Sequence, residues 1–176
     1  MTILVAVASR HHSTFEIGQA IGRTLVGLGV PADVLTVEEV EGVGGYDAVV
    51  LGSGVYAGNW LPTARDFVSR CASGLTDRPV WLFSSGPMGD PPKPAGDPSG
   101  IAAIVARIQP RGHRVFPGRL DRSDLGFGEK LVIKAVRAPL GDFRDWPAVE
   151  SWAAEITAAL DSPAGVAPEP VGVARG

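Results

Sequence analysis

The sequence predicts an α/β fold in which a parallel sheet is covered by helices on both faces. Short apolar segments rich in β-branched residues alternate along the chain with segments of helical spacing, which is the pattern of βαβ units. The apolar segments lack polar alternation, as expected of strands that are buried on both faces. Turns rich in glycine and hydroxyl residues follow Ala8, Leu51 and Phe83. Because ligands bind at the carboxyl ends of parallel strands, we expect these three turns to form one site.

The first half of the chain predicts three strands and two helices. Strands are expected at Ile3 to Ala8, at Asp33 to Val37 and at Tyr46 to Leu51. Apolar residues at helical spacing from Ile17 to Leu28 predict the first helix, which begins directly after the first turn. A second helix is expected from Pro62 to Gly74, because proline favours the first turn of a helix and glycine favours its end.

The second half predicts two strands and two helices around a proline-rich loop. Val80 to Phe83 is a buried strand, and the prolines between Pro87 and Pro98 predict a loop without regular structure. Ile101 to Ile108 is expected to be helical and Arg114 to Phe116 to be a strand. The last helix is expected from Asp145 to Leu160, and its apolar residues at core spacing are Val149, Trp152, Ala153 and Ile156.

Length and composition favour one soluble domain and exclude several classes of protein. The chain has 176 residues, 45% of them hydrophobic, and a net charge of −3, which gives no sign of nucleic-acid binding. Cys71 is the single cysteine and the N-terminus lacks a secretory signal pattern, so we expect a cytoplasmic protein. No apolar segment approaches the roughly eighteen residues of a membrane-spanning helix, so membrane contact would be peripheral, at the inner face.

The first turn, Ser9 to Thr14, has the residues of an anion-binding site. The first amides of a helix have no partners within the helix and lie at the positive end of its dipole. The hydroxyls of Ser9, Ser13 and Thr14 add donors at the same point, so a phosphate monoester would fit. The alternative is that Ser13 and Glu16 form a capping box without any ligand, and the turn alone does not decide between the two.

Other candidate sites are weaker. His11 and His12 are adjacent in a turn and no further ligand cluster accompanies them, so we expect no metal. The segment from Ser84 to Gly86 lacks the Gly-x-Ser-x-Gly pattern of a hydrolase, and His113 is expected at the surface or in a loop. These patterns indicate no catalytic nucleophile.

The three turns together resemble those of the flavodoxin family. Ser9 to Thr14 stands where that family has its FMN phosphate loop, Ser/Thr-x-Thr-Gly-x-Thr, with His11 and His12 in the places of a hydroxyl residue and a glycine. The resemblance implies a flavodoxin-like three-layer α/β/α sandwich with a five-stranded parallel sheet, and non-covalently bound FMN as the cofactor.

The two later turns match the loops that flank the flavin ring in that family. They are Gly52 to Trp60, where Tyr56 or Trp60 would stack on the ring, and Ser85 to Asp90. The cofactor-binding residues that the resemblance implies are Ser9, Arg10, His11, His12, Ser13, Thr14, Ser53, Gly54, Val55, Tyr56, Gly58, Trp60, Ser85, Gly86, Gly89 and Asp90.

Within the flavodoxin family the chain is more similar to the menaquinone-dependent protoporphyrinogen IX dehydrogenases. The similarity includes a long insert before the last helix, at about 118–144. We thus assign residues 1–160 to one flavodoxin-like domain and residues 161–176 to a disordered tail. The implied function is an FMN-dependent oxidoreductase that passes electrons to a quinone. The alternatives are an electron carrier that serves a redox partner protein, and a module of the same fold that has lost its flavin.

The insert region is basic in an otherwise acidic protein. Residues 107–137 contain eight basic and three acidic side chains, a net charge of +5. Lys130, Lys134 and Arg137 fall on one stripe of a predicted helix at 129–137, and such a helix can lie on an anionic membrane. The alternative is that its apolar residues pack on the sheet while the cations face water.

Overall fold

Five parallel strands form the central sheet of the computed structural model, which describes residues 1–86, 96–120 and 141–161. The strands are β1 (Ile3–Ala8), β2 (Ala32–Thr36), β3 (Ala48–Tyr56), β5 (Val80–Ser85) and β6 (Gly112–Phe116), and a short β4 (Asn59–Trp60) pairs antiparallel with the end of β3. Their order across the sheet is β2-β1-β3-β5-β6. The strand order therefore changes direction at β1, and a crevice is expected where β1 and β3 end.

Helices cover both faces of this sheet. They are α1 (Ser13–Gly27), α2 (Pro62–Arg70), α3 (Ala72–Thr76), α4 (Ile101–Ile108) and α5 (Trp146–Asp161). The apolar residues of α1 and α5 belong to one core cluster, and those of α2, α3 and α4 belong to the other. The predicted three-layer α/β/α sandwich with a five-stranded parallel sheet is confirmed.

Two glycines let α1 lie close to the sheet. A Cβ at Gly18 would come within 2.5 Å of a Val7 methyl, and one at Gly22 would come within 2.4 Å of a Val34 methyl. Any larger residue at either position would force the helix away from β1 and β2. The first turn of α1 is thereby held directly above the end of β1.

The predicted end of the third strand is wrong. We expected a strand that stops at Leu51 and a loop that begins at Gly52, whereas β3 continues to Tyr56 and pairs with β5 as far as Gly54. Glycine acts here as a strand residue because the Phe83 ring lies over it, 2.0 Å from the position of a Gly52 Cβ. The chain reverses only at Ala57 and Gly58, both at positive φ.

Smaller differences concern element ends. The second helix ends at Arg70, and Cys71 separates it from the short α3. Strands β2 and β6 begin one and two residues before their predicted starts, and β5 runs on through Ser84 and Ser85. The helix predicted at 129–137 and residues 162–176 of the predicted tail lie outside the described residues.

Among the described residues, no helix combines the length and the apolar character needed to cross a membrane.

Candidate functional site

A cleft opens where β1, β3 and β5 end, as the three turns predicted. It is lined by Ser9, Arg10, His11, Ser13, Thr14, Gly54, Val55, Tyr56, Leu61, Ser85, Gly86, Gly118, Arg119 and Leu120. Ten of the sixteen predicted cofactor-binding residues are in this lining. His12, Ser53, Gly58 and Trp60 are outside it, and Gly89 and Asp90 are outside the described residues.

The turn between β1 and α1 is strained at one position. His12 precedes the first helical residue and has φ 59° and ψ −20°, in the left-handed region, which glycine adopts at lower cost than histidine. The His12 carbonyl accepts from the Glu16 amide at 2.9 Å. His12 thus adopts the backbone conformation that the glycine of the family pattern would favour.

The capping-box alternative for this turn is wrong. The residue that caps α1 is His12, and it makes no side-chain cap hydrogen bond. Ser13 lies inside the helix, and its Oγ accepts the Arg119 amide at 3.2 Å. The Glu16 carboxylate points instead to Arg144 and Arg119. Within the described part of the chain, no side chain therefore caps the first backbone amides of α1.

Two hydroxyl residues of the turn, Ser9 and Thr14, line the cleft. Ser9 Oγ is buried and has no hydrogen-bond partner among the described residues, a state that costs about 1 to 3 kcal/mol for a polar group. Thr14 is 6% exposed, and its Oγ1 lies 3.1 Å from the position that a Cβ of Gly54 would take. Ser9 thus offers a donor without a partner, and the absence of a side chain at Gly54 lets the Thr14 hydroxyl lie close to β3.

The two aromatic candidates for flavin stacking are in different environments. Tyr56 is 39% exposed at the cleft, with the Arg10 guanidinium 4.7 Å from its ring centroid. Trp60 is 2% exposed, and its Nε1 donates to Ser84 Oγ at 2.7 Å. Trp60 therefore packs in the core, and among the residues that the structure describes Tyr56 is the aromatic residue that lines the cleft.

Ser53 and Gly58 have structural tasks in the β3–β4 hairpin. Ser53 is fully buried, and its Oγ donates to the Gly54 carbonyl and accepts from the Leu61 amide. Gly58 has φ 77°, which the tight reversal requires. Both residues shape the loop around Gly54 without lining the cleft.

His113 was predicted at the surface or in a loop, and this prediction is wrong. It lies in β6 with its side chain 12% exposed, its Nε2 is 2.8 Å from Ser84 Oγ, and its Nδ1 is 3.2 Å from Asp97. Because an ionised carboxylate only accepts, Nδ1 of the neutral imidazole donates to Asp97, and Nε2 then accepts from the Ser84 hydroxyl. This is the order of a Ser-His-Asp triad, but Ser84 is 0% exposed and cannot reach a substrate.

This network makes stability depend on pH. Burial lowers the pKa of His113 below its usual 6.5, against the opposing effect of Asp97. Below pH 6.5 the unfolded chain therefore binds a proton more readily than the folded chain does, and the stability from this network is lost as the pH falls. Thermal unfolding of wild type and His113→Gln from pH 7.5 to 5.5 should show the advantage of the wild type shrinking on acidification. If the difference in unfolding temperature between the two proteins stayed constant with pH, the lowered pKa of His113 would be contradicted.

The residues that sequence reasoning missed come mainly from the start of the insert. Gly118, Arg119 and Leu120 line the cleft. Two short strands, β7 (Arg119–Leu120) and β8 (Gly141–Asp142), pair antiparallel, and the Phe143 amide donates to the Gly118 carbonyl at 3.1 Å. The base of the insert is therefore one wall of the site. The local excess of basic residues was a signal for Arg119, but its position in the fold was not predictable from that excess.

A compact charge cluster fixes this wall to α1. The Arg144 side chain is 4% exposed, contacts the Glu16 carboxylate, and donates to Asp142 at 2.6 Å. Arg119 lies 3.6 Å from the same Glu16 oxygen. Hydrogen bonds from Arg144 lower the pKa of Asp142 and in turn raise that of Arg144. Two guanidinium groups thus converge beside the first turn of α1.

Within residues 1–86, 96–120 and 141–161, no group of three His, Cys, Asp or Glu side chains is placed to hold a metal ion.

Comparisons with known proteins show which family and which solved structures this chain is similar to. The flavodoxin domain matches residues 4–146, whereas comparison with curated proteins gives no significant match. The fold is similar to that of a flavodoxin from the domain Archaea, with 18% identity over 78% of this chain and 97% of that chain and a TM-score of 0.56. Oxidised flavodoxin 1 from Bacillus cereus is 14% identical over 90% of this chain and 98% of that chain, with a TM-score of 0.59.

A larger protein contains the same fold as one part. Rubredoxin oxygen:oxidoreductase from Desulfovibrio gigas is 11% identical over 90% of this chain, with a TM-score of 0.61, and the match covers 36% of that protein. At such identities the similarity concerns the fold alone.

The domain match indicates FMN as the cofactor, and the cleft fits a phosphate-bearing group. The unpartnered Ser9 hydroxyl, the Thr14 hydroxyl and the Arg119 guanidinium can each bind a phosphate oxygen, and all three residues line the cleft. The domain match covers residues 4–146, which is most of the sequence. The sheet has the order β2-β1-β3-β5-β6, and the cleft lies where this order changes direction. The chain therefore belongs to the flavodoxin domain family.

Proposed function

We propose that the Ser9 to Thr14 turn holds the phosphate of FMN. The observation that supports this most is the buried, unpartnered Ser9 Oγ, because native proteins rarely leave such a group unsatisfied unless a ligand uses it. Ser13 and Thr14 lie in the first turn of α1, where amides and the helix dipole favour an anion. His12, at positive φ, immediately precedes this first turn.

We further propose that the flavin ring lies between the end of β3 and the end of β5. Gly54, Val55 and Tyr56 form one side of the cleft, and Ser85 and Gly86 form another. Tyr56 would stack on the ring, and the Arg10 guanidinium lies 4.7 Å from the centroid of the Tyr56 ring. The contributions predicted for Gly89 and Asp90 stay predictions.

Bound FMN would supply electron transfer, while the protein supplies orientation, stacking and the polarity around the ring. We propose an FMN-dependent oxidoreductase that oxidises an organic substrate and passes the electrons to a quinone. The insert supports an enzyme, since its base is part of the cleft wall through Gly118 to Leu120. Contact of residues 129–137 with an anionic membrane stays a prediction.

The second candidate is an electron carrier that serves a redox partner protein. The 39% exposure of Tyr56 at the cleft favours it, because a partner that docks there would approach the flavin ring directly. A carrier would exchange electrons with a partner protein and would show no saturable turnover of a small organic substrate.

The visible spectrum of the purified protein, recorded before and after addition of FMN, tests the shared part of both proposals. We expect flavin bands that shift on binding, with quenched flavin fluorescence. A spectrum equal to that of free FMN would favour the third alternative, a fold without flavin. Anaerobic turnover with protoporphyrinogen and a menaquinone analogue then separates enzyme from carrier. Saturable, FMN-dependent oxidation supports the enzyme, and its absence together with fast electron exchange with a redox protein supports the carrier.

A further inference from the structure

We propose that Arg119, at the base of the insert, binds the FMN phosphate together with the Ser9 to Thr14 turn. This inference rests on the proposed function and adds to it a charged residue far away in the sequence. A guanidinium group binds a phosphate monoester through two parallel N–H···O hydrogen bonds, which a hydroxyl cannot do. The phosphate site would then be formed jointly by the first turn and by the insert.

The position of Arg119 is fixed by backbone contacts. Its amide donates to Ser13 Oγ at 3.2 Å, so its main chain lies against the first turn of α1. Pairing with Asp142 in the β7–β8 ribbon holds it from the other side. Its side chain is 27% exposed and lines the same cleft as Ser9 and Thr14. Arg119 is thus anchored beside the proposed phosphate position.

The charges around Arg119 allow it to change partner. Glu16 contacts both Arg119 and Arg144, and the contact with Arg144 is the closer one. If Arg119 turns to a phosphate, Glu16 keeps Arg144 as its partner. Arg144 is itself held by Asp142 at 2.6 Å. The exchange of the Glu16 carboxylate for a dianionic phosphate therefore gains charge attraction at little cost.

This geometry predicts which ligands the site distinguishes. A phosphate monoester gains the Arg119 contact, whereas riboflavin, which has the same ring and no phosphate, gains nothing from it. Binding of FMN should also weaken as salt is raised, because part of the attraction is between a partly exposed guanidinium and a dianion. Inorganic phosphate should compete with FMN for the same reason.

The test is a fluorescence titration of the flavin-free protein with FMN and with riboflavin, for wild type, Arg119→Gln and Arg114→Gln. Arg114 is the matched control, because it lies in β6 and pairs at the surface with Glu155 at 2.9 Å. We expect Arg119→Gln to weaken FMN binding by about 10- to 100-fold, to reduce its salt dependence, and to leave riboflavin binding unchanged. Arg114→Gln should bind both ligands as the wild type does.

Two further variants separate charge from folding. Arg119→Lys should recover part of the lost FMN affinity, since it restores the charge without the planar fork. Glu16→Gln should bind FMN more tightly than wild type, because it removes the competing carboxylate. An Arg119→Gln variant with the full FMN preference of the wild type would overturn this inference alone. A wild type that binds FMN no better than riboflavin would overturn the proposed phosphate site as well.

Discussion

Replacing Gly52 with valine is expected to lower the free energy of unfolding by about 3 kcal/mol. Strand propensity alone would favour valine at this central position of β3. The Phe83 ring decides otherwise, because it lies 2.0 Å from where the new Cβ would be. Phe83 is 0% exposed and packs against Phe116 and Trp152 at centroid distances of 6.1 and 6.2 Å, so it has no free direction in which to move.

Urea unfolding of the two proteins measures this effect, and Gly27→Ala is the matched control. Nothing lies within 4 Å of a Cβ at Gly27, the last residue of α1, so alanine there should raise stability by up to about 1 kcal/mol. A Gly52→Val protein as stable as wild type would show that the Phe83 ring does not limit this position.

Replacing Ser9 with alanine is expected to have opposite effects on stability and on cofactor binding. Removal of a buried hydroxyl without a partner should raise the stability of the flavin-free protein by up to about 1 kcal/mol. The same change should weaken FMN binding by about 1 to 3 kcal/mol, because it removes a hydrogen bond to a charged phosphate. A hydroxyl with only a structural role would lower stability when removed and leave FMN affinity unchanged.

Thermal unfolding without flavin and titration with FMN measure the two effects separately. Ser151→Ala is the control, since Ser151 is exposed on α5 and the change removes the same hydroxyl away from the cleft. Its FMN affinity should equal that of the wild type. If Ser9→Ala also bound FMN with wild-type affinity, Ser9 would not be a ligand of the FMN phosphate.

The layers of the fold were predictable because each element has a strong local pattern. The α4 helix matches its predicted range, Ile101 to Ile108, and the four core residues predicted for α5 are buried, namely Val149, Trp152, Ala153 and Ile156. The end of β3 was not predictable, because glycine usually interrupts a strand. Only the position of the Phe83 ring, which comes from a neighbouring strand, explains why glycine is required inside this one.

The first turn of the site was predictable and its far wall was not. Ser9, Ser13 and Thr14 lie next to a strand end and a helix start, so a local pattern is sufficient to find them. Arg119 lines the same cleft through the pairing of β7 with β8. The spacing of apolar residues in the sequence does not predict this pairing. Trp60 shows the reverse case: its glycine-rich neighbourhood predicted ligand contact, whereas its burial and its Nε1 hydrogen bond to Ser84 come from the tertiary fold.

The central claim is that the Ser9 to Thr14 turn recognises a phosphate. Side-by-side titration of the flavin-free wild-type protein with FMN and with riboflavin, at low salt, tests it most directly. The two ligands share the ring and differ only in the phosphate. We expect FMN to bind more tightly by at least about 10-fold, the ratio for one hydrogen bond to a charged group. Equal dissociation constants for FMN and riboflavin would contradict the claim.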